Sequence, residues 1–362
     1  MATGARGELG HTGDRSGRYR GRRAETIEND DLRVTVLREG GHIAEVFDKA
    51  TGVNPLWSPP WASIEPSQYD AARHPQFGGG SDAKLLAGIM GHNLCLDIFG
   101  GPSAEEAAAG ITAHGDASIV PYEIRTSTDT MAMRAHLPLA QLHVERRIEL
   151  RGRTARVREA VENLAAFDRP IGWTEHVTLG PPFLDRGATK LRASATRSQV
   201  FDGRFGVADY LQAGAVFDWP HAPRCDGGVA DLRVFPGADV SSAYSAHLMD
   251  AAREAAFFVA FSPRSRLAFA YVWRRVDFPW LGIWEENKSR ASSPWDGGTL
   301  TRGLEFGVSP FPESRRQMVE RGPLFGTPTF RWLPAKTRLE VEYWIVTRTA
   351  DRIPELIEWP IV

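Results

Sequence analysis

Apolar and polar residues alternate with a period of two along most of this chain, the spacing of half-buried β-strands. Leu32, Val34 and Val36 alternate with Arg33 and Thr35, Gly40-Gly41 supplies a turn, and a second run follows from Ile43 to Phe47. This reads as a hairpin. A second hairpin is expected from 144–150 and 154–161 about Arg151-Gly152-Arg153, closed by turn-forming residues over 163–170. A third pairs 257–261 with 267–273 across 262–266, and Leu339, Val341, Tyr343 and Ile345 mark a late half-buried strand. Helical signals are few. Residues 104–109 follow Pro102-Ser103 and stop at Gly110, and 250–256 is a second candidate. Many strands with frequent Gly and Pro predict an all-β fold, a large sandwich of two twisted antiparallel sheets with few short helices.

No internal repeat or linker divides the 362 residues, so 26–362 is expected to form a single β-sandwich domain. Residues 1–25, rich in Gly, Arg, Thr and Ser, carry too little apolar surface to order themselves and are expected to be a disordered tail. They also lack the apolar core of a secretion signal.

Composition narrows the function classes. A net charge of -2 gives no electrostatic footprint for nucleic acid or an anionic membrane, so neither is an expected partner. No apolar run approaches the roughly 18 residues of a membrane span. The two cysteines, Cys95 and Cys225, form no metal-finger spacing and read as thiols in a reducing cytoplasm.

Three segments set an ionisable residue in an apolar, turn-rich stretch: 110–116 with His114, 172–183 with His176, and 302–312 with Glu305. Two histidines and a glutamate suffice for general acid/base chemistry near neutral pH. Each has an alternative. His114 in its glycine-flanked turn could bond its own loop. Glu305 could face water. In the strand around His176, Trp173, Glu175, Val177 and Leu179 share one face and Thr174, His176 and Thr178 the other. That second face suits either a ligand-facing surface or an ordinary polar exterior. Trp280, Trp284 and Trp295 gather near Glu285, Glu286 and Asn287. Indole faces suit sugar C–H groups, and core packing is the alternative. His74, His92, His221 and His247 have no familiar zinc spacing, and Gly78-Gly79-Gly80 lacks the ending of a phosphate loop. No metal or other cofactor is expected.

In order and spacing these segments resemble the aldose 1-epimerase (galactose mutarotase-like) superfamily. His114-Gly115 is similar to the family's first histidine segment. Asn163-Leu164 through His176 is similar to the second, and Gly303-Leu304-Glu305 with Phe311-Pro312 to the late glutamate segment. The resemblance implies a β-supersandwich and an isomerase that interconverts sugar anomers. It makes Glu305 the base and His176 the acid, with His114 orienting the sugar or sharing the proton load. Candidate sugar contacts are Trp284, Asn93, Arg302, Asp218 and Glu175. Lys84, His92 and Asn93 occupy the neighbourhood of the family's arginine ligand, and Asp218 stands for its aspartate. The implied partner is a small sugar, and the sequence leaves the oligomeric state open. A lyase or hydrolase using Arg186 and Arg302 against an acidic sugar polymer, and a non-catalytic sugar-binding protein, are the competing functions.

Overall fold

The period-two segments pair into two large antiparallel sheets. The structure is a computed structural model describing residues 17–355. Among the described residues one sheet has twelve strands and the other eight, and a two-stranded hairpin stands apart. The three expected hairpins form as Leu32–Leu37 with Ile43–Asp48, Leu142–Arg151 with Thr154–Asn163, and Ala255–Ser262 with Leu267–Arg274. The sheets bury their facing sides against each other. Trp173, Val177, Leu304 and Phe306 of the larger sheet meet Phe258, Tyr271, Trp273 and Tyr343 of the smaller one. Phe306 and Trp273 stack with ring centroids 4.3 Å apart. Among the described residues no helix is long and apolar enough to cross a membrane.

Helices are short. Ala104–Ala108 forms where expected, closed at its start by a reciprocal capping box between Ser103 and Glu106. The second expected helix does not form. The Asp250 carboxylate accepts the Ala252 backbone N–H at 2.9 Å, which makes a turn, and the chain enters the strand Ala255–Ser262 directly.

The expected tail is also shorter than its composition implies. Arg18–Tyr19 and Arg22–Glu28 are strands at the edge of the larger sheet. Arg22 is fully buried and donates to Glu65 Oε2 at 3.0 Å, Gly88 O at 2.6 Å and Glu39 O at 2.9 Å. Partners supplied from distant loops let an Arg-rich segment order without apolar bulk. The rest of the expected tail lies outside the described residues.

His42 shows how deeply polar groups are enclosed. Its Nδ1 accepts the Met90 N–H at 3.2 Å, so Nε2 carries the proton and donates to Ser118 O at 3.0 Å. Burial, and then the charge of Arg22, lower its pKa to about 3. The unfolded chain binds a proton near pH 6.5 that the folded chain refuses. Stability is therefore full above pH 6.5 and falls as pH drops toward 3, by up to about 1.4 kcal/mol per pH unit. Buried His247, also lowered to about 3, adds to the same slope. Urea unfolding midpoints are expected to fall between pH 6.5 and pH 5, and a flat profile there would contradict this account.

Candidate acid–base site

Strand register assembles the site. In the larger sheet His92–Asp97, Arg169–Leu179, Leu300–Gly307, Trp280–Asn287 and Ser241–Met249 lie side by side in that order. Asn93 pairs with His176, His176 with Glu305, and Glu305 with Gly282, so four residues form one row across the sheet. Directly opposed residues on one face have Cβ atoms about 5 Å apart. His176 and Glu305 use that proximity, with Nε2 and Oε1 at 2.9 Å. His176 Nδ1 is 3.1 Å from Thr178 Oγ1 on the same face. The pair is almost enclosed, His176 being 5% and Glu305 1% exposed. Gly303 lies beneath the carboxylate, where an added Cβ would come within 2.4 Å of Glu305 Oε1.

His114 arrives from a loop and stacks obliquely on His176, with ring centroids 4.9 Å apart. Its tautomer follows from its neighbours. Ser118 Oγ donates to Leu94 O and therefore accepts from Asn93 Nδ2, which fixes the Asn93 amide. The same Nδ2 donates to His114 Nδ1 at 3.1 Å, leaving the proton on Nε2. Burial, then the charge of His176, holds the His114 imidazole well below its usual pKa, so it is a neutral N–H donor. The loop depends on Gly115, whose φ is +73° and whose added Cβ would stand 2.1 Å from Leu96 O. Gly115→Ala is expected to cost about 1–3 kcal/mol. Thermal unfolding checks this, and an unchanged melting temperature would refute it.

Indole rings wall the pair. Trp284 lies 5.9 Å from the His176 ring and edge-on to Trp295 at 6.2 Å. Trp57 and Trp61, from a loop without periodicity, pack on Trp295. Trp280 stands apart, against Phe325. Arg290 lies over Trp284 and Trp295 and pairs with Glu286 at 3.4 Å. Among the described residues, three buried polar atoms on this face have no hydrogen-bond partner: Asn93 Oδ1, Thr174 Oγ1 and Trp284 Nε1. Buried polar groups are seldom left unpaired, so three such atoms on one face set it apart from the packed interior.

The structure separates three of the expected sugar contacts from this cluster. Glu175 precedes His176 and so points to the opposite face, between the sheets. There it accepts from His92 Nε2 at 2.8 Å, Tyr343 OH at 3.1 Å, Arg146 Nη2 at 3.2 Å and Trp173 Nε1 at 3.2 Å. His92 belongs to this interior network too. Arg302, three residues before Glu305, also faces away, donating to Leu232 O at 2.6 Å and pairing with Glu285 at 3.2 Å. Asp218 is exposed on the edge strand Val216–Asp218, four strands from Glu305 or roughly 19 Å by strand spacing. A surface groove of about 620 Å³ lies elsewhere, among ion-paired Arg134, Arg158, Arg338 and Glu342 on the smaller sheet.

With twelve and eight strands in two facing antiparallel sheets, the architecture can be compared with solved structures. A protein of Klebsiella pneumoniae subsp. pneumoniae described as a "putative aldose 1-epimerase" superposes with a TM-score of 0.62 at 12% identity, over 89% of this chain and 78% of that one. A galactose mutarotase-like protein of Lactobacillus casei superposes with a TM-score of 0.57 at 13% identity, over 90% of this chain and 100% of its own. One of Clostridium acetobutylicum gives 0.58 at 12%, over 90% and 95%. The fold is galactose mutarotase-like. No protein-family model and no curated relative matches the sequence. The galactose mutarotase-like sandwich here carries its histidine–glutamate pair on the outer face of the larger sheet, beneath an aromatic cover.

Proposed function

We propose that this protein is a sugar mutarotase, an acid–base catalyst that interconverts the anomers of an aldose. The observation that carries the reading is the direct His176–Glu305 contact beside the neutral N–H donor of His114. The unpaired Asn93 Oδ1 and Trp284 Nε1 support a polyhydroxylated ligand, and the fold of the solved neighbours fits a carbohydrate site.

In this reading Glu305 removes the proton from the anomeric hydroxyl while protonated His176 gives its proton to the ring oxygen. The bond between C1 and the ring oxygen breaks, leaving an open-chain aldehyde. After rotation about the bond to C1, the freed hydroxyl attacks the other face of the carbonyl. His176 takes back that hydroxyl's proton and Glu305 returns its own to the former aldehyde oxygen, restoring both groups. His114 Nε2–H and Asn93 Oδ1 hold sugar oxygens, and the indole of Trp284 offers a flat face and one donor. No step requires a metal.

The experiment is NMR exchange spectroscopy of anomers across a panel of aldoses. Interconversion faster than buffer alone is the expected result. Binding without exchange would replace the reading with a sugar-binding protein, and release of an ultraviolet-absorbing unsaturated product would replace it with a lyase.

A further inference from the structure

Behind Glu305 stands a residue that the mechanism above does not use. Tyr244 lies on Ser241–Met249, two strands from Glu305, and is fully enclosed by Phe99, Phe201, Phe205 and Phe311. Its hydroxyl reaches across Gly282, the residue paired with Glu305 on the intervening strand. A Cβ added at Gly282 would stand 2.1 Å from the Tyr244 hydroxyl oxygen and 3.4 Å from Glu305 Oε2. Glycine is therefore required at 282 because two polar side chains converge over it. The carboxylate is divided between neighbours, with Oε1 on His176 and Oε2 toward Tyr244. The hydroxyl donates to Pro310 O at 3.1 Å, and Glu305 Oε2 is the second acceptor it faces.

We propose that Tyr244 is a positioning residue for Glu305, donating to Oε2 while the carboxylate is charged and turning to Pro310 O when Glu305 takes up a proton. The inference rests on the acid–base reading of Glu305. Burial, and then the Glu305 charge, hold the phenol well above its usual pKa, so it remains a donor throughout the working range. The other ionisable groups facing this pair are His176 on Oε1, Cys95 on the far side of the His176 strand, and Glu313 beyond the tyrosine ring. Glu313 is held by Arg321, and burial keeps Cys95 protonated. A hydrogen bond to the charged form of a carboxylate lowers its pKa, so removing the hydroxyl raises it.

The test is Y244F, with G282A as a second variant that keeps the tyrosine and displaces its hydroxyl. Each is expected to lower kcat about 10-fold, leave KM within about twofold, and move the acidic limb of the kcat profile up by roughly half to one pH unit. In parallel, the Glu305 side-chain carboxyl is followed by carbon-13 NMR titration, assigned with E305Q. Its midpoint is expected to rise by the same amount in both variants. A loss of thermal stability with neither the limb nor the carboxyl titration moved would overturn the proposal and leave Tyr244 a packing residue. If the wild-type protein shows no anomer exchange but the carboxyl titration shifts in Y244F, the mutarotase reading fails and the positioning role stands.

Discussion

Glu305→Gln is expected to slow anomer interconversion by at least about 10²-fold while leaving the fold intact, because it removes a general base without removing a side chain. The amide has nearly the same volume as the carboxylate and fits above Gly303 and Gly282, where there is no room for anything larger. It can still meet His176, so the cross-strand contact at 2.9 Å has a neutral replacement. What it cannot do is take a proton. His176→Asn is expected to lose activity on a similar scale by removing the acid. Polarimetric or NMR rates, with circular dichroism and melting temperature as controls, decide the matter. Full activity in both variants would remove Glu305 and His176 from the mechanism.

Arg146→Met is expected to destabilise the protein by about 3–5 kcal/mol, the usual cost of taking one partner from a buried ion pair. Arg146 donates to Glu159 Oε1 at 2.5 Å, to Glu175 Oε2 at 3.2 Å and to Gly41 O at 3.0 Å, between sheets that exclude water. Without it Glu159 and Glu175 lose the one guanidinium that the described residues place on them. Burial already lifts the Glu159 carboxyl to about 8 against the pull of Arg146. A folded-state value raised above the unfolded one gives stability that is full below about pH 4.5 and is lost as pH rises toward 8. The deficit of the variant relative to wild type should therefore widen from pH 7 to pH 9, where the wild-type Glu159 carboxyl ionises beside Arg146 and the variant's stays protonated. Urea titrations at both pH values measure it, and adding Glu175→Gln should recover part of the loss. A deficit independent of pH would mean that Arg146 acts through packing alone.

Much of this architecture is legible in alternation. The period-two runs give the three hairpins, and the parity of 169–179 puts His176 and Glu175 on opposite faces. The same parity rule separates Arg302 from Glu305, since an odd spacing within one strand reverses the face. What parity cannot supply is the content of the opposing sheet. Nothing near Glu175 in sequence announces that Arg146 and Tyr343 wait for it. Trp57 and Trp61 were invisible because loops have no period, and Tyr244 because its role depends on a glycine in another strand. Arg22 looked like a tail residue because its partners are 17 to 66 positions away.

The glycines beneath Glu305 set terms for anyone wishing to reshape this site. Widening or reshaping a site usually begins with the small residues on its floor. At 282 and 303 any added carbon reaches the tyrosine or the base before it reaches a ligand. Variation is better spent on the walls at Trp61 and Trp295, which lie outside the paired strands, whereas Trp57 is held to the His176 strand by its N–H donating to Thr178 O at 2.8 Å. Under the mutarotase reading the walls and the reacting pair fall on separate segments, and a library confined to the walls alters one while sparing the other.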